Sequence, residues 1–309
     1  MEINDALCGE VIVYEPVISE IINTKTFQRL KKISQYGPPS EFYHIKNSFS
    51  RYEHSIGVML LLRKLDTSLE EQVAGLLHDV SHTAFSHVFD WVVGSYTKED
   101  YQDSNHAKFL LESELSSVLN KHKFNVNKIS NLHNYKILDN HIPNLCADRL
   151  DYSLREIYHR IDKNLPKSLL EDLIIIEDII AFKSKNMAEI FGKSYSELQV
   201  GHWANAETRL RYYLFSMALK IAMDKEIISK EDFYQDDDYV VNKLKEANDI
   251  SINSLMDALT NKLEFEENTN SYNLLLPKKK FRYVDPYYLN DGKLVRLSES
   301  VSSYKEFLD

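Results

Sequence analysis

Glycine and proline are scarce in this sequence, 8 and 7 of 309 residues, about 5% where an average chain carries nearer 12%. So few turn-formers argue against a many-stranded sandwich or barrel, which needs a turn roughly every 8–12 residues. Cysteine is scarcer still: Cys8 and Cys146 cannot build a disulfide framework and point to a reducing compartment. No apolar run approaches the ~18 residues of a membrane span; the richest, 169–182, is broken by four acids. The N-terminal Met-Glu-Ile-Asn-Asp lacks the charged-then-apolar pattern of a signal peptide. Positive charge is in deficit, 37 Lys and Arg against 47 Asp and Glu, for a net −10. A general nucleic-acid coat needs a basic stripe, and the one compact basic run, Lys278-Lys279-Lys280 with Arg282 behind it, reads as a solvated loop. These deficits predict a cytoplasmic, soluble protein with no membrane partner and no general nucleic-acid partner. A small anion in a locally positive pocket remains compatible with them.

What is present is helical pattern. Hydrophobic residues make up 43% of the chain, enough for a sizeable core. Residues 10–16 look like a short strand ending at Pro16, and helical spacing runs from Val17 to Ile33 before Gly37-Pro38-Pro39-Ser40 breaks it. Glu53–Leu65 has the apolar density of a buried helix; Glu70–Leu77 and Asn105–Leu119 begin others. In 145–161, Leu150, Leu154, Ile157 and Ile161 define one buried face. Asp148, Tyr152, Arg155 and His159 run two residues out of phase, about 200° round the helix, on the opposite side. Asn205–Asp224 is amphipathic, 231–270 acidic and helix-like, and Asn290-Asp291-Gly292 a hairpin turn signal between 281–289 and 293–297. The reading is a mainly α protein: a helical domain over 1–225 and a smaller, partly β appendage over 226–309.

Chemistry concentrates in one window. Five of the eleven histidines, His54, His78, His82, His87 and His106, fall between 54 and 106, where an even spread would place about two. His54 and the His78-Asp79 pair sit among leucine, valine and isoleucine, where ionisable groups cost free energy unless paired or metal-bound. Asp148 offers a further carboxylate. Two imidazoles and two carboxylates form a mixed nitrogen and oxygen set suited to Mn²⁺, Fe²⁺ or Zn²⁺. Spacing alone leaves the blander reading open, in which each histidine is a hydrogen-bonded core or surface residue.

In order, His54, His78-Asp79 and Asp148 resemble the H…HD…D metal signature of HD-domain phosphohydrolases. Flanking blocks narrow the resemblance to the deoxynucleoside triphosphate triphosphohydrolase branch: Phe27-Gln28-Arg29-Leu30, 51–58, 74–82, 85–90 and Asp148-Arg149-Leu150-Asp151-Tyr152. It covers roughly residues 5–160 and implies an HD-domain helical bundle.

The resemblance implies that His54, His78, Asp79 and Asp148 bind one divalent transition metal ion, Mn, Fe or Zn, with Mg²⁺ compatible as a second, substrate-bound ion. His82, His87 and His106 would line the phosphate pocket, with His87 the first choice of general acid, His106 the second, and Asp90 fixing the His87 tautomer. Arg51, Arg149, Tyr152 and Gln35 would contact substrate, and Glu156 would stand behind them. The implied reaction is attack of metal-activated water on the α-phosphorus, releasing nucleoside and inorganic triphosphate. Family members often assemble, so a homo-oligomer is an expectation.

Two departures stand out. Asp5-Ala6-Leu7-Cys8-Gly9 keeps the aspartate and glycine of a family block that opens the domain but loses its proline and histidine, so nucleotide activation does not carry over. Where a later family helix has a Tyr-x-His-Lys grip on triphosphate, the nearest counterpart is Arg211-Tyr212-Tyr213-Leu214-Phe215, with Arg209 or Arg211 as substitutes and Tyr212 a weak candidate. A nucleoside monophosphatase or other HD-type nucleotide phosphohydrolase is therefore the alternative enzyme. From another class, the alternative is a nucleotide-binding sensor that has kept the fold and lost turnover.

Overall fold

The Ser50 side chain accepts from the Glu53 backbone N–H at 3.2 Å, and the Glu53 carboxylate accepts from the Ser50 N–H at 2.8 Å. This reciprocal capping box satisfies two otherwise orphaned donors and starts the helix Arg51–Lys64. Ser68 caps the next helix, Leu69–Leu77, through the Glu71 N–H, and the chain leaves that helix at His78-Asp79. Leu60, Leu61, Leu62, Leu76 and Leu77 are buried on these two helices, each worth roughly 1.5–3 kcal/mol of apolar transfer. The third helix of the site, Ala147–Arg160, packs on Arg51–Lys64 through the predicted face of Leu150, Leu154 and Ile157.

The computed structural model describes residues 1–39, 48–260 and 279–308, and is mainly α-helical with two small sheets. One apolar cluster joins these helices to Pro16–Asn23, Lys185–Leu198 and the sheet residues Leu173, Ile180, Phe182 and Tyr288. A second gathers Phe85–Val92 with Ala206–Asp224, Asp237–Ala247 and Ile250–Thr260.

Several element boundaries differ from expectation. The strand placed at 10–16 is Gly9–Ile12, paired with an unforeseen strand Glu2–Asp5, and Pro16 instead opens a helix, where its missing N–H costs nothing. The helix expected over 17–33 is three pieces, Pro16–Asn23, Lys25–Gln28 and a 3₁₀ turn Arg29–Lys32, because the Thr24 hydroxyl caps a new start at the Phe27 N–H. That expected over 105–119 is Tyr101–Glu112 and Glu114–Lys121, parted at Ser113. Residues 231–260 are helical, whereas Ser40 and 261–278 lie outside the described residues.

The acid-broken apolar run is a hairpin, Leu173–Ile176 with Ile179–Phe182. Its turn, Glu177-Asp178, has φ of 50° and 61°, the left-handed pair of a two-residue turn. The expected C-terminal hairpin forms as Tyr287–Asn290 and Lys293–Arg296, and pairs in parallel with Ile179–Phe182 to complete a four-stranded sheet. Contacts cross residue 225 both there and where Ile250–Thr260 packs on Ala206–Asp224. No helix among the described residues is long and apolar enough to cross a membrane.

Candidate metal centre

His54 stands one turn into its capped helix and is fully buried. Its Nδ1 meets the Asp151 carboxylate at 2.8 Å, and the His78 Nδ1 meets the Gly75 carbonyl at 2.7 Å. Each Nδ1 therefore carries a proton, which leaves Nε2 as the nitrogen of each ring that can bind a metal. Those two Nε2 atoms face each other at 3.2 Å, with Asp148 Oδ1 at 3.0 Å from one and 3.5 Å from the other. Three groups that can each give a metal one ligand atom converge here.

Ligands about 2.1 Å from one ion and at right angles sit about 3 Å apart, so this donor set fits a divalent metal. One ligand atom from each of His54, His78 and Asp148 lies within 4.8 Å of the others. The Asp79 oxygens lie 3.6 and 3.5 Å from the two imidazoles, and one of them is also held by Arg51 Nη1 at 2.6 Å. The same convergence raises proton affinity. Burial opposes charging of His78, but the Asp79 and Asp148 carboxylates outweigh it and lift it to about 9. Burial likewise opposes ionisation of Asp148, and the two imidazoles reverse it, holding the carboxyl well below the usual range.

Asp151 also accepts from Arg155 Nε at 2.8 Å, and Arg155 Nη2 reaches Asp5 Oδ2 at 2.6 Å. Asp5 in turn caps the Leu7 and Cys8 N–H groups. The aspartate retained from the altered N-terminal block thus supports His54 through two intermediaries. Arg155 is only 2% exposed, so the stripe opposite the apolar face is covered at this residue as well.

A cavity of about 480 Å³ opens on this cluster. His78, Asp79 and Asp148 line it, as do Arg51, His82, His87, Gln35, Arg149, Tyr152 and Glu156. His87 Nδ1 meets Asp90 Oδ2 at 3.1 Å, while Asp90 Oδ1 accepts from the Tyr101 N–H at 3.0 Å; the pairing read from their spacing is present. Burial, with Arg51 adding to it, pushes His82 down to about 3, so it is neutral. Phe85 and Ser86, between the two histidines, both take positive φ, 64° and 50°, a strained backbone of the kind that clusters at functional sites.

Other expected residues sit differently. His106 is not among the residues lining the cavity: its Nδ1 pairs with Ser81 Oγ at 2.9 Å behind the wall, and Nε2 is buried with no partner among the described residues. Arg149 reaches the cavity, but its terminal nitrogens are bonded to the Asn140 and Asn144 carbonyls. Tyr152 shares its hydroxyl with Tyr195 at 2.8 Å. The Gln35 Oε1 is buried with no partner among the described residues. Glu156 lines the wall and is held by Arg160 at 2.6 Å. Arg211 turns away to Glu207 and the Leu259 carbonyl, while Tyr212 lines the cavity.

Sequence reasoning missed two walls. One is aromatic. His202 and Trp203 come from a π-helical turn, Gln199–Trp203, a distortion frequent at functional sites. Trp203 lies against Tyr152 at 5.3 Å, and His202 against Tyr36 at 5.4 Å. No spacing signal announces them. The other is basic. Lys279 and Arg282, read as a solvated loop, line the cavity instead, and Arg282 Nη2 pairs with the buried Glu99 at 2.7 Å. Lys278 lies outside the described residues.

A family model described as HD domain matches residues 51–182. The uncharacterized protein YdhJ of Bacillus subtilis is 36% identical, over 96% of this chain and 91% of its own. Metal-dependent phosphohydrolase cns2 of Cordyceps militaris is 38% identical over 50% of this chain. A deoxynucleoside triphosphate triphosphohydrolase SAMHD1 homolog of Dictyostelium discoideum is 30% identical over 63% of it. The matches span 44% of the length of each of the latter two. Among solved structures, a hypothetical protein from Aquifex aeolicus superposes with TM-score 0.67 at 18% identity, covering 99% of this chain and 93% of that one. A phosphohydrolase from Bacteroides thetaiotaomicron gives 0.63 at 18%, covering 84% and 76%. These two share the fold. With the signature residues in order along the chain and three of them converging in space, the protein belongs to the HD-domain family of metal-dependent phosphohydrolases.

Proposed function

We propose that this protein hydrolyses (deoxy)nucleoside triphosphates to nucleoside and inorganic triphosphate, using His54, His78, Asp79 and Asp148 as the ligands of one divalent metal. The observation that carries the reading is the convergence of the His54 and His78 Nε2 atoms and Asp148 Oδ1 beside a cavity of about 480 Å³, within the ~300–1,000 Å³ of small-molecule sites. The relative named as a triphosphohydrolase supports the choice of substrate. When bound, the ion supplies an acidified water and offsets charge on the phosphate oxygens.

The protein's own groups do the rest. His87, with its Nδ1 proton held by Asp90, presents Nε2 to the cavity, where it can pass a proton to the leaving 5′ oxygen. Arg51, braced by Asp79 and the Ser86 hydroxyl, is placed to bind phosphate. The aromatic wall of Tyr36, His202 and Trp203 offers faces for the nucleoside. A homo-oligomer and a cytoplasmic setting belong to the same proposal.

A nucleoside monophosphatase is the second reading, favoured by one observation: Leu214 and Phe215 pack in an apolar cluster where the triphosphate grip would fall. A panel of purified nucleoside mono-, di- and triphosphates with Mn²⁺ separates the two. Triphosphate among the products supports the first, orthophosphate from monophosphates alone the second, and binding without turnover points to a sensor. Asp79→Ala should abolish both bound metal and hydrolysis; full activity in that variant would refute the ligand set.

A further inference from the structure

The C-terminal segment delivers two cations to the cavity that the HD motif does not contain. Arg282 is fixed by Glu99, which is 2% exposed and sits at φ 50°. An ionised carboxylate at a strained, buried position needs a partner, and the pair anchors the segment beside the cavity. Burial opposes ionisation of Glu99, yet Arg282 and Lys279 hold it down to about 2.

Lys279 is placed differently. Its Nζ lies 3.9 Å from the centroid of the Tyr212 ring and forms no ion pair with any of the described residues. The two carboxylates that act on it are already engaged, Glu99 by Arg282 and Asp90 by His87 and the Tyr101 N–H. Burial, with Arg282 and Arg51 adding to it, pushes the Lys279 ammonium down to about 8. A cation held among like charges in a protein of net charge −10 is costly unless an anion joins it. The cavity it lines is the one that holds His78, Asp79 and Asp148.

We propose that Lys279 is a phosphate-binding residue of this cavity, positioned by the Tyr212 ring and the Glu99–Arg282 pair to hold the anionic tail of the substrate. The segment thereby supplies the charge that Leu214 and Phe215 cannot. Tyr212 serves as the platform on which the ammonium rests, its hydroxyl tied to the Tyr36 carbonyl at 2.9 Å. This assignment rests on reading the cavity as the substrate site of a phosphohydrolase.

The test titrates inorganic tripolyphosphate calorimetrically into the full-length wild type, Lys279→Met and Lys279→Arg, with thermal unfolding as the check on folding. Loss of one charge-assisted contact should weaken binding about tenfold in Lys279→Met, and Lys279→Arg should recover most of it. Should the methionine variant not fold, Lys279→Gln, which keeps a long polar chain, carries the same comparison. Wild-type protein that does not bind tripolyphosphate, or a Met or Gln variant that binds it as the wild type does, overturns the assignment. The nucleotide panel decides the reaction separately. Lys279-dependent binding without triphosphate release would remove the proposed reaction and leave the anion site; triphosphate release with Lys279-independent binding would do the reverse.

Discussion

Asp237 accepts the Phe85 backbone N–H at 2.7 Å with one carboxylate oxygen and the Ser34 N–H at 2.9 Å with the other. A residue far along the chain thus ties down the strained turn between His82 and His87. Arg29 adds a second tie, bonding the Val80 and His82 carbonyls at 3.0 and 2.7 Å. Ser86, inside the turn, donates to the Ser34 carbonyl at 2.7 Å and accepts from Arg51. The loop that carries the pocket histidines is therefore shaped by side chains outside it, which offset the cost of two left-handed residues.

Replacing Asp237 by Asn forces an amide NH₂ toward one of two N–H donors. We expect a loss of about 1–3 kcal/mol in urea unfolding, and lower turnover in the protein that remains folded, because His87 and Arg51 lose their setting. Unchanged stability and turnover would show that the turn holds its shape without Asp237.

Metal affinity should depend on residues that never touch the ion. Asp151 fixes the His54 tautomer, and such supporting carboxylates are worth roughly 10–100-fold in affinity. Asp151→Asn should lower Mn²⁺ or Zn²⁺ affinity by about that factor, measured by calorimetry. Gly57 gives an independent check. A Cβ there would stand 2.0 Å from both Asp151 Oδ1 and Arg155 Nη2, so Gly57→Ala should cost stability and metal affinity together. Wild-type affinity in both variants would detach the Asp5–Arg155–Asp151 chain from the centre.

Much of this site is legible in the sequence because its parts are local. His54 and His78-Asp79 are carried by capped, strongly apolar helices, and Asp148 opens a helix whose buried face is plain from Leu150, Leu154 and Ile157, although Ile161, expected with them, is 42% exposed just past the helix end. Asp90 stands three residues after His87, and one turn of chain suffices to pair them. What was not legible depends on long-range contact. Glu99 and Arg282 meet across 183 positions, and a run of lysines in an acidic chain looks solvated until its partner is known. The 173–182 hairpin was hidden by its turn, since Glu177-Asp178 occupies positions usually marked by Asn-Gly. His106 carries the right residue type at the right place in the order, and only packing reveals that Ser81 holds it behind the wall.

That burial makes His106 a pH-dependent element of stability. Burial lowers its pKa from 6.5 to about 4, the nearby His78 adding to the effect. The unfolded chain therefore binds the proton first. The stabilising contribution is fully present above about pH 6.5 and is lost as pH falls toward 4. Over that interval the unfolding free energy should fall by on the order of 2 kcal/mol more in the wild type than in His106→Gln. Parallel pH profiles for the two proteins would place His106 in a wetter setting than the one described here.

The His87–Asp90 pair offers the sharpest test of proton transfer. Asp90 uses one oxygen on His87 Nδ1 and the other on the Tyr101 N–H, so Asn can satisfy only one of them. If its NH₂ faces Tyr101, two donors collide; if it faces His87, the Nδ1 proton loses its acceptor, and the doubly protonated imidazole that can donate from Nε2 loses its support. Asp90→Asn should then lower kcat by about a hundredfold, the low end for a positioned acid or base, with a smaller change in KM. His87→Gln should cost about as much, and the double variant little more than either alone, since the two act as one unit. Additive losses, or an Asp90→Asn enzyme with the wild-type kcat, would mean that the proton for the leaving group comes from elsewhere in the cavity.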